Sequence, residues 1–219
     1  MERILEPELM LDDEQARAYA EADFSAPHQM FVELFRKKFG PRLSGPVLDL
    51  GCGPADVTVR FARAYPEVEI HGVDGSPAML KYGRKRLEQE GLSSHIRLIL
   101  GRIPEVELPR AHYQAVIVNS LLHHLPEPQV LWETIKRCAA PGAAVFVMDL
   151  LRPDSPEEAR RLVERYAAEE PEVLKHDFYH SLLAAFRPEE VREQLRLAGL
   201  SHFSLEQVSD RHFIVYGRL

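Results

Sequence analysis

The segment Pro46-Val47-Leu48-Asp49-Leu50-Gly51-Cys52-Gly53-Pro54-Ala55-Asp56 constrains the fold of this chain more than any other. A short apolar run stops at two closely spaced glycines and gives way to the helix-compatible stretch Val57 to Ala64, which reads as strand, glycine turn and helix. Glycine reaches torsions closed to other residues and carries no Cβ to keep a ligand off the main chain. A helix N-terminus adds unpaired amides with partial positive charge. A second strand-like run, Val68 to Val73, ends in Asp74, about 20 residues past the glycines, where nucleotide-binding folds set a ribose-binding carboxylate. Glycines and acid together point to an adenosine-type ligand.

The chain around this segment alternates regularly. Strands are expected at 46–50, 68–73, 96–100, 114–118 and 143–149, and helices at 55–64, 77–90 and 128–139, with Gly91, Pro141 and Gly142 at helix ends. Such alternation implies a parallel sheet covered on both faces, and the unbroken apolar run Ala115-Val116-Ile117-Val118 is what a doubly covered strand looks like. Two helices precede it, Asp12 to Ala22 and Pro27 to Phe39, with Asp12 and Ser25 as N-caps and Gly40-Pro41 as a stop. Beyond Pro153, helices are expected at Pro156 to Glu169, Phe178 to Ala185 and Pro188 to Ala198. Two strand-like runs, His202 to Val208 and His212 to Tyr216, close the chain around a turn at Ser209-Asp210.

The stretch VLDLGCGPADVTVRFARAYPEVEIHGVDGSPAML closely resembles the first two motifs of class I S-adenosylmethionine-dependent methyltransferases of the type 11/25-like, small-molecule kind. LILGRIPEVELP, YQAVIVNSLLHHLPEP and PGAAVFVMDLLRP resemble the later ones, so the likeness covers about residues 40 to 152. It implies an α/β, three-layer Rossmann-like methyltransferase fold, a mostly parallel seven-stranded sheet with an antiparallel C-terminal hairpin. One domain, 1–219, is expected, comprising an N-terminal helical lid (1–45), a cofactor-binding core (46–152) and acceptor-side helices with the closing hairpin (153–219). The implied cofactor is S-adenosyl-L-methionine. By the same resemblance Asp49, Gly51, Cys52 and Gly53 approach its methionyl part from the first turn, and Asp74, with Gly75 and Ser76, holds the ribose hydroxyls. Met79, Gly101, Arg102 and Ile103 surround adenine, and Asn119 and Ser120 lie near the methionyl group.

Two residues depart from the family pattern. Ala55 stands where a third glycine is expected, and Arg102 where the family commonly has an aspartate accepting the adenine amino group. Arginine has donors only. Either its guanidinium stacks on the base or it packs outward and a neighbouring backbone group reads the base.

Methyl transfer from a sulfonium is a direct displacement, so a protein catalysing it holds the acceptor in line and excludes water. Ligands of open α/β sheets lie beyond the C-terminal strand ends, which singles out Asn119, Ser120, His123 and His124 after the fourth strand and Asp149 and Arg152 after the fifth. His124 and His123 are the candidate catalytic proton acceptors. Being adjacent, their side chains are expected to diverge, with at most one meeting the acceptor. Tyr19, Phe24 and His28 from the lid, with Asp149, Tyr179, His180 and Phe186, are the candidate substrate-pocket residues; simple packing is the alternative for the aromatic ones. His176-Asp177-Phe178-Tyr179-His180 resembles the zinc-protease pairing of two histidines one helical turn apart, but no third ligand is marked and no metal is expected.

A net charge of -7 and a pI near 5.8 disfavour a phosphate-backbone partner. Lys81, Arg84, Lys85 and Arg86 are interleaved with Glu88 and Glu90 as on a solvated helix face. No apolar run approaches the roughly 18 residues of a membrane span, nor does the N-terminus carry a secretion core. Cys52 and Cys138 form neither a metal spacing nor a disulfide framework and are expected as free thiols. A cytoplasmic methyltransferase acting on a small molecule, without nucleic acid or stable membrane association, is the expectation. The alternative is a non-catalytic sensor or partner subunit that binds S-adenosylmethionine or S-adenosylhomocysteine. A dinucleotide dehydrogenase would need the third glycine and a nicotinamide site, and the sequence offers a motif for neither.

Overall fold

The computed structural model describes residues 1–6 and 10–219. Seven strands form one sheet in the order β3-β2-β1-β4-β5-β7-β6. β1 (Gly45–Leu50), β2 (Val68–Asp74), β3 (Ile96–Leu100), β4 (Tyr113–Asn119) and β5 (Ala139–Leu150) are parallel, while β7 (His212–Arg218) runs antiparallel between β5 and β6 (Ser204–Gln207). The chain winds outward from β1 in both directions, so the crevice between the C-terminal ends of β1 and β4 is the topological switch point at which such sheets receive ligands.

The helices fall into two layers. α2 (Ser25–Phe39), α3 (Asp56–Ala64) and α4 (Pro77–Glu90) accompany one face, where Phe31, Phe35, Phe61, Tyr65 and Phe146 meet in an apolar cluster with several edge-on ring contacts. On the other face α5 (Gln129–Cys138) and α8 (Pro188–Leu197) bury Leu131, Trp132, Ile135, Val191 and Leu195 against Val116, Val118, Val145 and Val147. The Trp132 indole donates to Gln194 Oε1 at 3.1 Å, so burying its N–H leaves no donor unpaired. α6 (Pro156–Tyr166) and α7 (Glu172–Ala184) pair over Leu150 in a smaller cluster. α1 (Asp13–Glu21) lies along α4, tied by Lys81 to the Asp13 carboxylate and by the Arg86 guanidinium to the Ala20 carbonyl.

Asp12 caps α1 as expected, accepting from the Gln15 amide. Ser25 is not the cap of α2. The helix begins at Ser25 itself, and Asp23 Oδ1 accepts the Ser25 amide at 2.9 Å. α7 starts six residues earlier than its apolar run suggested, because Pro171 opens it and Leu174 is buried from its first turn. β5 also begins earlier, at Ala139. Pro141 and Gly142 therefore lie inside an irregular strand that pairs with β4 first at Tyr113 and then, after a register shift, from Ala115 onward. α6 ends at Tyr166, and β6 shrinks to four residues.

Candidate functional site

The turn after β1 carries three consecutive left-handed positions at alternate residues, Gly51 (φ 74°), Gly53 (φ 51°) and Ala55 (φ 62°). Ala55 therefore adopts the backbone that the missing glycine would have adopted. The Gly51 and Cys52 amides both donate to the Val73 carbonyl, at 2.9 and 3.0 Å, fastening the turn to the end of β2. Directly after that carbonyl, Asp74 accepts the Gly53 amide on Oδ2 and the Ser76 amide on Oδ1, each at 2.8 Å. Burial raises the Asp74 pKa, and the two amides and His124 oppose it. Each oxygen keeps a second lone pair, so the carboxylate retains two acceptor positions.

A cleft of about 330 Å3, including its open mouth, runs along this turn, lined by Tyr19, His28, Asp49, Gly51, Gly53 and Asn119 among others. A Cβ built on Gly53 would meet nothing within 4 Å, whereas one on Gly51 would press on Leu121 at 3.0 Å. The Gly53 backbone is thus open to a ligand. Asn119 Oδ1 is buried without a hydrogen-bond partner, an unmet acceptor suited to the ammonium of an amino-acid group. Behind the turn, Thr58 Oγ1 donates to Asp49 Oδ2 at 2.6 Å, and burial pushes the Asp49 pKa up to about 7. Burial raises the Cys52 thiol as well, so it is a packed, protonated side chain rather than a nucleophile.

Tyr19, Phe24 and His28 form a short aromatic series, with ring centroids 4.8 and 5.5 Å apart, of which Tyr19 and His28 line the cleft. His28 Nδ1 lies 2.6 Å from Asp56, which also meets Arg60 and Arg86. The contacts with these side chains outweigh burial and hold the Asp56 pKa below the usual carboxylate range. Burial, with Asp74, Asp56 and Asp149 nearby, pushes the Tyr19 hydroxyl up to about 12, so it remains a donor. Beyond Asp74, Ser76 caps α4 by accepting the Met79 amide, and Met79 is buried. The Gly101 amide donates to the Asp74 carbonyl. Arg102 is exposed, the outward alternative of the two considered for it.

Across the crevice, Asp149 is buried at the end of β5 and fully engaged. It accepts from the Leu122 and Leu150 amides at 2.7 Å each and lies 2.5 Å from His123 Nδ1. Burial would raise Asp149, but the His123 interaction holds it down. The same contact raises the His123 pKa against burial, which alone would lower it. Asp149 thus positions His123 rather than facing an acceptor.

His123 and His124 do not diverge. The one-turn 3-10 helix Leu122–His124 folds their rings to a centroid distance of 4.1 Å, and both turn toward Glu6. Arg152 is locked to Glu190 and the Ala185 carbonyl. Phe186 is buried under the Arg3 guanidinium, 3.9 Å from its ring centroid. Tyr179 packs in the α6/α7 cluster, and the His180 ring lies tilted against His176 with centroids 4.3 Å apart.

Glu6 and Arg3 had no signal in the sequence. They lie in a non-periodic N-terminal stretch and reach His123 across more than a hundred residues, a pairing that only the fold creates.

Residues 47–142 match the family model described as a methyltransferase domain. Over this stretch the chain is similar to S-adenosylmethionine-dependent methyltransferases. A trans-aconitate 2-methyltransferase of Methylobacterium nodulans is 35% identical over 126 residues, 57% of this chain and 45% of that protein. A demethylmenaquinone methyltransferase of Anoxybacillus flavithermus is 28% identical over 118 residues, 53% of this chain and 49% of its own length. The chain thus spans about half the length of the curated relatives it matches. In three dimensions it is similar to a SAM-dependent methyltransferase from Aquifex aeolicus, with a TM-score of 0.69 at 19% identity, covering 95% of this chain and 99% of that one. This likeness confirms the expected fold, the seven-stranded sheet with its reversed β7 included. No helix among the described residues is long and apolar enough to cross a membrane.

Proposed function

We propose that this chain transfers the methyl group of S-adenosylmethionine to a small, polar acceptor. The observation that carries the reading is the clasp between Asp74 and the Gly53 amide, which places a half-free carboxylate beside an open glycine backbone and the unmet Asn119 acceptor. Asp74 would hold the ribose hydroxyls and Asn119 the amino group, while the Gly51 to Gly53 backbone approaches the methionyl chain. Tyr19 and His28 close that side. Met79 and Ile103 would flank adenine, with Gly101 at its edge. When bound, the cofactor supplies an electrophilic methyl group.

The chain's own task is then to aim the acceptor and keep water out. The wall opposite the cofactor cleft is built from Glu6, His123 and His124, held by Asp149, Arg3 and Ser181. Such a lining suits a compact polar molecule, nearer in chemistry to the trans-aconitate of one relative than to the demethylmenaquinone of the other. The low net positive content and the absence of a membrane-spanning helix among the described residues support a water-borne acceptor in the cytoplasm over nucleic acid or lipid.

The test is calorimetry with S-adenosylhomocysteine, followed by turnover of methyl-labelled cofactor against a panel of small hydroxy acids, carboxylates and amines. Saturable binding with transfer to a member of the panel is expected. No binding of the nucleoside would sink the reading, and binding without transfer to any acceptor would favour a sensor.

A further inference from the structure

The acceptor-side wall contains three donors that converge without satisfying one another. His124 Nδ1 lies 3.1 Å and His123 Nε2 3.5 Å from Glu6 Oε1, and all three atoms fall within 4.8 Å of one another. Despite that closeness, Glu6 Oε1 and His124 Nδ1 are buried without any hydrogen bond, because they meet at angles unsuited to one. Donors sharing an ion at about 2.1 Å stand about 3.0 to 3.4 Å apart in octahedral or tetrahedral arrangement. The two separations from Glu6 match that spacing, and an ion would draw the two nitrogens toward each other.

The groups behind the donors have the arrangement of an outer coordination shell. His123 Nδ1 is held by Asp149 at 2.5 Å, and Asp149 is itself fixed by the Leu122 and Leu150 amides. Glu6 Oε2 accepts from Ser181 Oγ at 3.2 Å. A carboxylate on the far nitrogen of a ligating histidine fixes the ring and raises its basicity.

We propose that Glu6, His123 and His124 bind a divalent first-row transition ion, and that the ion's open position takes an oxygen of the acceptor. Two imidazoles and one carboxylate are a donor set for zinc, iron(II) or manganese rather than for magnesium or calcium. Three protein ligands leave coordination positions for substrate, and such an ion lowers the pKa of a bound hydroxyl. This departs from the sequence expectation of no metal, because Glu6 has no spacing that links it to the histidines. The site stands on its own geometry; only the acceptor's place on the ion rests on the methyl-transfer reading.

The test is isothermal titration of the full chain, stripped of metal, with zinc chloride, with cobalt(II) absorption as a second readout. One ion per chain is expected. Both Glu6→Gln and His124→Ala should weaken binding at least tenfold, and Ser181→Ala by about tenfold as an outer-shell change. The surface pair His176 and His180, with rings 4.3 Å apart, is controlled by His176→Gln, which should leave the ion in place. Circular dichroism and unchanged S-adenosylhomocysteine affinity show that the variants are folded. Absence of stoichiometric zinc binding, or binding that survives Glu6→Gln, overturns the proposal. Failure to bind the nucleoside while zinc still binds overturns the cofactor reading instead.

Discussion

The amide of Gly53 donates to Asp74 across the two adjacent strand ends of β1 and β2, at 2.8 Å. One carboxylate therefore shapes the glycine turn and offers its remaining lone pairs to the cleft. Asp74→Ala should weaken S-adenosylhomocysteine binding by about 10- to 150-fold, the worth of hydrogen bonds to a charged group. It should also cost about 1–3 kcal/mol of stability, because the Gly53 and Ser76 amides lose their partner. Calorimetry and urea unfolding read the two effects separately; a loss of stability with unchanged affinity would restrict Asp74 to the turn.

Ala55 tests how strictly the turn needs its third left-handed residue. At φ 62° a Cβ costs roughly 1–2 kcal/mol, yet Ala55 is fully buried, with its methyl group in the apolar cluster. Ala55→Gly removes that strain but adds about 0.4–1 kcal/mol of unfolded-state entropy and loses the buried methyl. Stability within about 1 kcal/mol of the parent is expected. Ala55→Val, β-branched in a left-handed position, should instead destabilise by more than about 2 kcal/mol and weaken nucleoside binding, as thermal melts with and without ligand would show.

What could be read before folding was local. The βα alternation, the glycine turn and Asp74 are signalled by neighbours in sequence, and apart from the early start of β5 each stands within a residue or two of its expected place. The surroundings of His123 resisted because their contacts are long-range. Nothing near Glu6 announces His123, and nothing near Arg152 announces Glu190, which consumes the guanidinium expected at the site. Adjacency misled at His123 and His124: in an extended chain their side chains would part, but a single 3-10 turn brings both to one carboxylate. Ser25 had the chemistry of a cap but sits one residue too late, and Asp23 accepts the amide instead.

His212 gives the fold an acid limit. It is buried at the start of β7, and burial, with Arg211 beside it, pushes its pKa down to about 4, against weaker opposing effects of Asp149 and Asp210. A histidine whose folded pKa lies below its unfolded value near 6.5 favours folding while neutral. Its contribution is full above pH 6.5 and is lost as pH falls from there toward 4. The loss amounts to about 3 kcal/mol over that interval. His212→Asn should flatten the stability profile between pH 6.5 and 4 in urea titrations; an unchanged slope would assign the acid sensitivity elsewhere.

Gly101, proposed to lie at the edge of adenine, has no room for a side chain. A Cβ there would meet Val106 Cγ2 at 2.5 Å and Val106 Cβ at 2.9 Å, closer than real contacts allow. The Gly101 amide also donates to the Asp74 carbonyl at 3.0 Å, so movement of Gly101 is passed to Asp74. Gly101→Ala should cost about 1–3 kcal/mol from overpacking and weaken nucleoside binding. Adding Val106→Ala, which clears the space, should recover most of the affinity, and failure of that rescue would mean the glycine is needed for something other than room.

Arg3 fastens the segment that delivers Glu6. Its Nη2 donates to the His123 and Leu125 carbonyls at 2.8 and 2.9 Å, its Nε to the Ala184 carbonyl at 2.5 Å, and its guanidinium lies over the Phe186 ring. The three carbonyls belong to the loop after β4 and to the end of α7, so one side chain ties the N-terminal residues to both. Lysine has no planar fork to reach these acceptors together. Arg3→Lys should speed amide exchange at Ile4, whose N–H donates to the Leu183 carbonyl, and at the Leu122–His124 turn, while exchange in the strands stays unchanged. If Ile4 keeps its protection in the variant, the N-terminal segment is held by its own apolar contacts, and Glu6 reaches the histidines without the arginine.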